Sequence, residues 1–410
     1  MNLIKNRIIN LVKESRSFMV FSLGCRTNAA EASLLAGWLE SLGLRPKNTK
    51  PDLVFVNTCA VTKIGLEKSL KKIKILKRKY SHSTIIAFGC GVENNKSLFD
   101  IANLSFNNSD KEDLISTINS VHSKKINSLA QSGRFLMRIQ SGCNHYCSYC
   151  IVPFLREIPF QLSPKNVVEQ TRKAVEKGYK ELVLTGTNLG LYKYSLSDLI
   201  SKLISETTIT RIGFGSINYE AFDKNLISLF KNEWGRARLN RYLHIPLQSA
   251  SDNILTKMNR PYSAKNFCSL ITDLTKGNPL VKIGTDIIVG FPGETDADFE
   301  ATYKFIIENP IHRLHVFRYS PRENTLAEKE AKKWGIVDEN IAKERAELLR
   351  KISKEKELQF KTNLVGKKLP VLFLKGNAAQ GWYGITDNYQ GISFRSKENL
   401  RGKIRKVKIS

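Results

Sequence analysis

The sequence predicts an α/β protein in three parts: an N-terminal parallel-sheet α/β domain, a central partial (β/α)6 barrel and a small C-terminal all-β barrel. Three observations predict it. Short runs rich in Val, Ile and Phe alternate with helical patterns over residues 1–130. Six further strand–helix units occupy residues 131–362, closed off by a charged connecting helix. Residues 363–410 instead carry short apolar runs broken by glycines. Strands that alternate with helices imply parallel pairing, whereas closely spaced short strands imply a small antiparallel unit.

In the first part, residues 18–23, 53–56 and 84–88 read as buried strands. Each is short, continuously apolar and flanked by turn residues. Residues 29–42 and 66–80 carry the helical spacing between them. A cysteine follows each strand: Cys25, Cys59 and Cys90. The carboxyl ends of parallel strands open on one edge of the sheet, where ligands bind, so three cysteines distant in sequence gather there.

In the second part, strands are expected at 136–140, 182–185, 212–216, 242–246, 282–289 and 313–319. Helices at 164–177 and 297–308 lie among them, the latter opened by a Thr295-x-x-Asp298 variant of a capping box. Function in such a barrel sits at the carboxyl ends of the strands. The helix at 340–361 is charged, but Ala346, Leu348 and Leu349 offer an apolar face for docking. In the third part, 371–374, 383–385 and 392–394 read as strands, followed by a basic edge at 401–408.

Composition narrows the partners. Of 410 residues, 65 are lysine or arginine and 38 are aspartate or glutamate, a net charge of +27. Such an excess calls for a polyanion, most commonly nucleic acid, although basic solvated faces contribute to it. The lysine-rich stretch 71–79 fits either an RNA contact or a solvated helix face. Trp382, Tyr383 and Tyr389 offer base-stacking surface or, more simply, core packing. No apolar stretch approaches the roughly 20 residues that span a bilayer, and the start lacks a cleavage-site pattern. A cytoplasmic protein without membrane partners is the expectation. Seven cysteines, an odd number, argue against a disulfide framework.

Three of them form Cys143-Asn-His-Tyr-Cys147-Ser-Tyr-Cys150, a CxxxCxxC loop just after the first barrel strand. Three thiolates on one loop hold three corners of a [4Fe–4S] cluster and leave one iron open for a small molecule. His145, inside the loop, is a less suitable fourth ligand. Zinc sites usually pair two CxxC motifs or add paired histidines, and this triplet stands alone in its segment.

The triplet resembles the signature of the radical S-adenosylmethionine superfamily. There the open iron chelates S-adenosylmethionine, whose reductive cleavage yields a 5′-deoxyadenosyl radical. On that resemblance, Tyr149, Gly186, Asn188, Gln248, Asp286 and Gly290, at or near barrel strand ends, are the expected S-adenosylmethionine contacts. Asp286 has a second reading as a structural hydrogen-bonding group, because an unpartnered carboxylate in an apolar strand is costly.

The resemblance extends further. Ser22-Leu-Gly-Cys25-Arg-Thr-Asn28, Asn57-Thr-Cys59-Ala-Val-Thr62 and Gly89-Cys90 are similar to the three cysteine motifs of the methylthiotransferases. Segments 246–251, 258–262, 285–295 and 315–322 also resemble family motifs. The final segment looks like a TRAM domain, a small RNA-binding barrel. The resemblance implies that Cys25, Cys59 and Cys90 bind a second [4Fe–4S] cluster, and that Cys268 is a packed helix residue. Family branches act on isopentenyladenosine in tRNA, on threonylcarbamoyladenosine in tRNA, or on an aspartate of a ribosomal protein. The wording around Cys25 and Cys59 is most like the threonylcarbamoyladenosine, MtaB-like, branch.

That branch implies insertion of a methylthio group at carbon 2 of the modified adenine in the tRNA anticodon loop. It also implies an electron donor such as flavodoxin or ferredoxin, and leaves the sulfur source open. A non-catalytic iron–sulfur RNA-binding protein is the alternative outside enzymology. The chain departs from the branch after Cys150, where several arginines are usual and only Arg156 stands. It departs again at Gly215-Ser-Ile-Asn-Tyr219 and Gly89-Cys-Gly-Val92.

Overall fold

The computed structural model describes residues 3–121, 133–157 and 159–410. The boundary expected near residue 130 lies outside the described residues.

Five parallel strands form the first sheet: β1 (Ser17–Ser22), β2 (Arg45–Pro46), β3 (Leu53–Thr58), β4 (Thr84–Gly89) and β5 (Leu104–Phe106), in the order β2-β1-β3-β4-β5. Every β3 residue is buried. Its alternating side chains feed two cores: Leu53 and Phe55 pack with Phe18, Leu39 and Phe88, while Val54 and Val56 pack with Ile73, Leu76 and Ile85. The helices Arg26–Ser41 and Lys63–Lys79 cover the expected stretches. Exposed lysines alternate with buried Ile73 and Leu76 along the second of them. β2 and β5 are too short to show as apolar runs. The three cysteines stand at the carboxyl ends of β1, β3 and β4, neighbouring strands of this sheet.

The second part contains β6 (Arg134–Arg138), the short antiparallel pair β7 (Gln140–Ser141) and β8 (Phe160–Gln161), then β9 (Glu181–Thr185), β10 (Arg211–Phe214), β11 (Tyr242–His244), β12 (Lys282–Val289) and β13 (Arg313–Arg318). Two parallel three-stranded sheets, β6-β9-β10 and β11-β12-β13, meet at a single parallel bridge between Ile212 and Leu239. This is the expected six-stranded partial barrel, open at β6 and β13. Leu182, Leu184, Leu243, Ile245, Ile283, Ile287 and Leu314 point outward into one large core beneath the helices. By alternation, Glu181, Thr185, Tyr242, His244, Asp286 and His315 face inward. The helix Asp296–Glu308 begins with the expected capping box of Thr295 and Asp298. On the connecting helix, Glu339–Thr362, Ala346 and Leu349 are buried, whereas Leu348 is exposed.

The third part corrects the expected closed barrel. Strands β14 (Lys368–Asn377), β15 (Gly381–Thr386), β16 (Gly391–Phe394) and β17 (Ile404–Lys408) form an antiparallel sheet in the order β16-β15-β14-β17. Its two edge strands do not pair with each other, so the sheet stays open. β17 lies within the segment read as a basic edge. Its Val407 is buried while Arg405, Lys406 and Lys408 are exposed, a charged edge that discourages further strand pairing.

This sheet stoppers the amino-terminal end of the barrel. Tyr389 stacks on Tyr242 with ring centroids 4.9 Å apart. Its hydroxyl donates to Glu181 at 2.9 Å and accepts from Arg134 at 2.7 Å. Arg241 holds Asp387 through two hydrogen bonds of 2.7 and 2.8 Å. Trp382 is buried in the small sheet's own core, and Tyr383 is exposed. Tyr389→Phe removes a hydroxyl bonded to two charged groups and is expected to lower stability by about 1–3 kcal/mol. The denaturant midpoint at constant m-value measures it.

Candidate functional site

The carboxyl edge of the first sheet faces the carboxyl ends of the barrel strands. Immediately after Cys25, the helix Arg26–Ser41 enters the barrel mouth. Thr27 Oγ1 donates to the Gly186 carbonyl at 3.1 Å and lies 3.3 Å from Thr185 Oγ1, both at the end of β9. Arg26 donates to the Phe214 carbonyl at the end of β10, at 2.8 Å. The edge that carries Cys25, Cys59 and Cys90 therefore opens onto the same mouth as the Cys143–Cys150 loop.

Glycines make this cysteine edge possible. Gly24 and Gly89 adopt φ of +93° and +95°. A Cβ on Gly24 would lie 2.7 Å from Cys59 Sγ, and one on Gly89 would lie 2.2 Å from Asn57 Oδ1. Only glycine accommodates both the backbone and the crowding. Asn28 adds a brace, its Nδ2 donating to the carbonyls of Leu23 and Thr58.

All seven cysteines are free thiols. Burial pushes Cys59 up to about 11, with smaller contributions from Cys90 and Cys25. Burial likewise pushes Cys150 up to about 12, with Cys147 and Cys143 adding to it. Each triplet thus shares one electrostatic neighbourhood that disfavours three bare thiolates. A bound metal group would take the place of the thiol protons, so its binding releases protons.

Guanidinium groups attend both triplets. Arg156 Nε lies 3.4 Å from Cys90 Sγ, and Arg260 Nη1 lies 3.4 Å from Cys147 Sγ. Arg322 Nη2 donates to the carbonyl of Ala60, beside Cys59, at 2.7 Å. Arg156 also belongs to a buried charge network centred on Glu31. The Glu31 carboxylate accepts from Arg156 at 2.8 Å, Arg138 at 2.9 Å, Lys111 at 3.1 Å and Asn57 at 3.1 Å. Arg138 also reaches Glu112 at 2.6 Å. Three cations against two carboxylates leave one positive charge over, and Arg156 carries it against Cys90. Uncompensated buried charge is costly. A cluster held by three thiolates is an anionic group that would balance it, so the residues present fit an iron–sulfur cluster.

The other expected site residues fall as follows. Tyr149 packs edge-on to Phe291 at 6.5 Å. Asn188 accepts from Gly190 N through its side chain and donates its backbone N–H to Gln140 Oε1. A Cβ on Gly186 would lie 2.9 Å from Gln140 Oε1. Gln248 takes φ +75° and bridges to β12 through its backbone, donating to the Asp286 carbonyl at 2.8 Å and accepting from Ile288 N at 2.9 Å. Gly290, at φ +70°, donates to Glu294 at 2.7 Å, and a Cβ there would meet Ala342. His145 pairs with Glu220 at 3.5 Å. Cys268 is half-buried and contacts Asn309 Oδ1 at 2.9 Å.

Asp286 takes its hydrogen-bonding role. His244 Nε2 lies 2.9 Å from Asp286 Oδ1, and His315 Nδ1 lies 3.3 Å from the same atom. Burial opposes its charged form, but the hydrogen bonds and charges of both histidines hold the carboxyl well below its ordinary range. Sequence reasoning assigned no role to these histidines, to Glu31, or to Arg260 and Arg322. One signal was present for Glu31, a lone acid in the apolar run Ala29-Ala-Glu-Ala-Ser-Leu-Leu35.

Residues 137–306 match the Radical SAM superfamily, and residues 17–105 match Uncharacterized protein family UPF0004. The chain is 31% identical to a threonylcarbamoyladenosine tRNA methylthiotransferase MtaB of Thermotoga maritima, over 87% of this chain and 86% of that protein. It is 33% identical to a tRNA-2-methylthio-N(6)-dimethylallyladenosine synthase of Endomicrobium trichonymphae, over 76% and 78%. Its fold is similar to that of a radical S-adenosylmethionine methyltransferase, TsrM, of Kitasatospora setae, with a TM-score of 0.55, 13% identity, and 78% and 76% of the two chains covered.

Proposed function

The chain belongs to the radical S-adenosylmethionine tRNA methylthiotransferase family, and we propose that it adds a methylthio group to carbon 2 of N6-threonylcarbamoyladenosine beside the tRNA anticodon. The observation that carries the reaction is the convergence of two cysteine triplets on one barrel mouth. The wording Leu23-Gly-Cys25-Arg-Thr-Asn28 with Asn57-Thr-Cys59-Ala-Val-Thr62 supports the substrate. The relatives named for dimethylallyladenosine support a second reading, in which the substituent on the adenine is a hydrocarbon.

Cys143, Cys147 and Cys150 would hold one [4Fe–4S] cluster, and Cys25, Cys59 and Cys90 a second. When bound, these clusters and S-adenosylmethionine supply the one-electron chemistry and the sulfur and methyl groups that an inert aromatic C–H bond requires. The protein's share is placement. Arg260 and Arg156 set positive charge against one thiolate of each triplet. Tyr149, Gly186, Asn188, Gln248 and Gly290 are the proposed S-adenosylmethionine contacts, whereas Asp286 is already engaged by two histidines. Asn188 ties the second barrel strand end to Gln140, three residues before Cys143. Packing of the helix Arg26–Ser41 into the mouth keeps both triplets on one enclosed space, which limits water at the reacting carbon.

The TRAM-like role falls to the C-terminal sheet. Arg405, Lys406 and Lys408 line its edge and suit phosphate contacts that weaken as salt rises. An anticodon-loop adenine must leave its stack to reach the mouth, as single-stranded RNA permits. A cytoplasmic location and a flavodoxin- or ferredoxin-type reductant complete the proposal.

Nucleoside mass spectrometry of tRNA tests it. Deleting the gene is expected to abolish 2-methylthio-threonylcarbamoyladenosine and leave its unthiolated precursor to accumulate. Persistence of that nucleoside, with loss of the dimethylallyl counterpart instead, would reassign the substrate.

A further inference from the structure

The inward face of β13 carries a row of solvent-accessible side chains. Leu314 and Val316 pack outward against the large core, while Arg313, His315 and Phe317 alternate to the other side. They pair in register with Gly284, Asp286 and Ile288 of β12. The row therefore climbs the barrel at about 6.6 Å per step, with His315 one step below Phe317. Ile288, level with Phe317, packs in the same apolar group as Tyr149 of the cysteine loop. Phe317 is 42% exposed, an unshielded aromatic face inside the mouth of an enzyme whose substrate is a nucleobase.

Contacts along the His244–Asp286–His315 row fix what His315 offers. The Tyr242 hydroxyl lies 3.3 Å from His244 Nδ1 and occupies that nitrogen. His244 then donates Nε2–H to Asp286 and is fully used. His315 Nδ1 lies 3.3 Å from the same carboxylate oxygen, an ion-pair distance for a protonated ring that orients the imidazole. Its side chain is 43% exposed, against 7% for His244 and 20% for Asp286. Among the described residues, His315 Nε2 has no partner. The three donor atoms also lie within 4.8 Å of one another, a spacing open to a divalent cation. The donor role of His244 Nε2 disfavours a metal, which would need that nitrogen's lone pair.

Resting on the methylthiotransferase reading above, we propose that this face of β13 is the substrate seat. Phe317 stacks on the target adenine, and His315, protonated on both ring nitrogens in the complex, donates Nε2–H to the carboxylate of its threonylcarbamoyl substituent. The backing by Asp286 and His244 makes His315 a pre-oriented partner for an anion. A dimethylallyl substituent has no atom that could use it. His315 is thus the specificity residue between the two tRNA substrates.

Reconstituted enzyme should be assayed on an anticodon stem-loop bearing threonylcarbamoyladenosine and on one bearing its methyl ester. Wild type is expected to prefer the free acid in kcat/KM by roughly 10- to 100-fold. His315→Ala should erase that preference and weaken stem-loop binding, measured by fluorescence without S-adenosylmethionine. Iron content and uncoupled S-adenosylmethionine cleavage should be unchanged. Phe317→Leu should weaken binding of acid and ester alike. Equal use of acid and ester by wild type, or a preference that survives His315→Ala, overturns the seat while leaving the proposed function standing. So does a stoichiometric divalent ion that His315→Ala alone removes. Failure of wild type to modify the threonylcarbamoyl stem-loop overturns the substrate reading itself.

Discussion

Glu31→Gln is expected to destabilise the protein by about 3–5 kcal/mol at neutral pH, because it leaves three buried cations with Glu112 as their one remaining carboxylate in the network. Glu31 is 1% exposed and meets Arg156, Arg138 and Lys111 together. An amide keeps the volume but not the charge. Burial alone would raise the Glu31 carboxyl, and the charges of Arg156, Lys111 and Arg138 more than offset it, holding it well below the usual range. A folded-state value below the unfolded one contributes stability that is present above the unfolded value, about 4.5, and lost as pH falls through the folded one. The gap between wild type and Glu31→Gln should therefore be full at pH 7 and narrow progressively in acid. Denaturant midpoints at several pH values measure it; a gap independent of pH would contradict the charge account.

The second large effect separates the triplets. Cys147→Ala should reduce S-adenosylmethionine cleavage to background after anaerobic reconstitution, because it removes a ligand from the cluster with the open iron. Cys59→Ala should leave that cleavage intact and abolish the methylthio product. In either variant iron should fall from about eight to about four atoms per chain. Cleavage by Cys147→Ala would mean that the triplets have been assigned to the wrong roles.

Both triplets are legible in the sequence because their positions follow from local rules. Strands such as Leu53–Thr58 are buried on both faces, so they stand out as continuous apolar runs, and a cysteine next to one must lie at a sheet edge. The barrel strands β9, β10, β11 and most of β12 show for the same reason. What escapes depends on pairing between distant residues. Glu31 meets Arg138 and Arg156 more than a hundred positions away. His244, Asp286 and His315 become a set only once β11, β12 and β13 are aligned. β17 escapes because its sequence shows charge where an apolar strand is sought, and the closed barrel is overturned once β17 takes the free side of β14. Sequence alone makes Tyr389 a stacking or core residue of its own small sheet; its hydrogen bonds to Glu181 and Arg134 span more than two hundred positions.

That tyrosine turns the C-terminal sheet from an appendage into a measuring stick. Locked to the first residues of the barrel strands, the basic edge stands at a set remove from the cysteine mouth at their far ends. Any RNA backbone gripped there presents its loop at a fixed reach. Lengthening the connection between the Glu339–Thr362 helix and β14 should leave that reach unchanged, whereas loosening Tyr389 should blur it, and with it the choice of which nucleotide is modified.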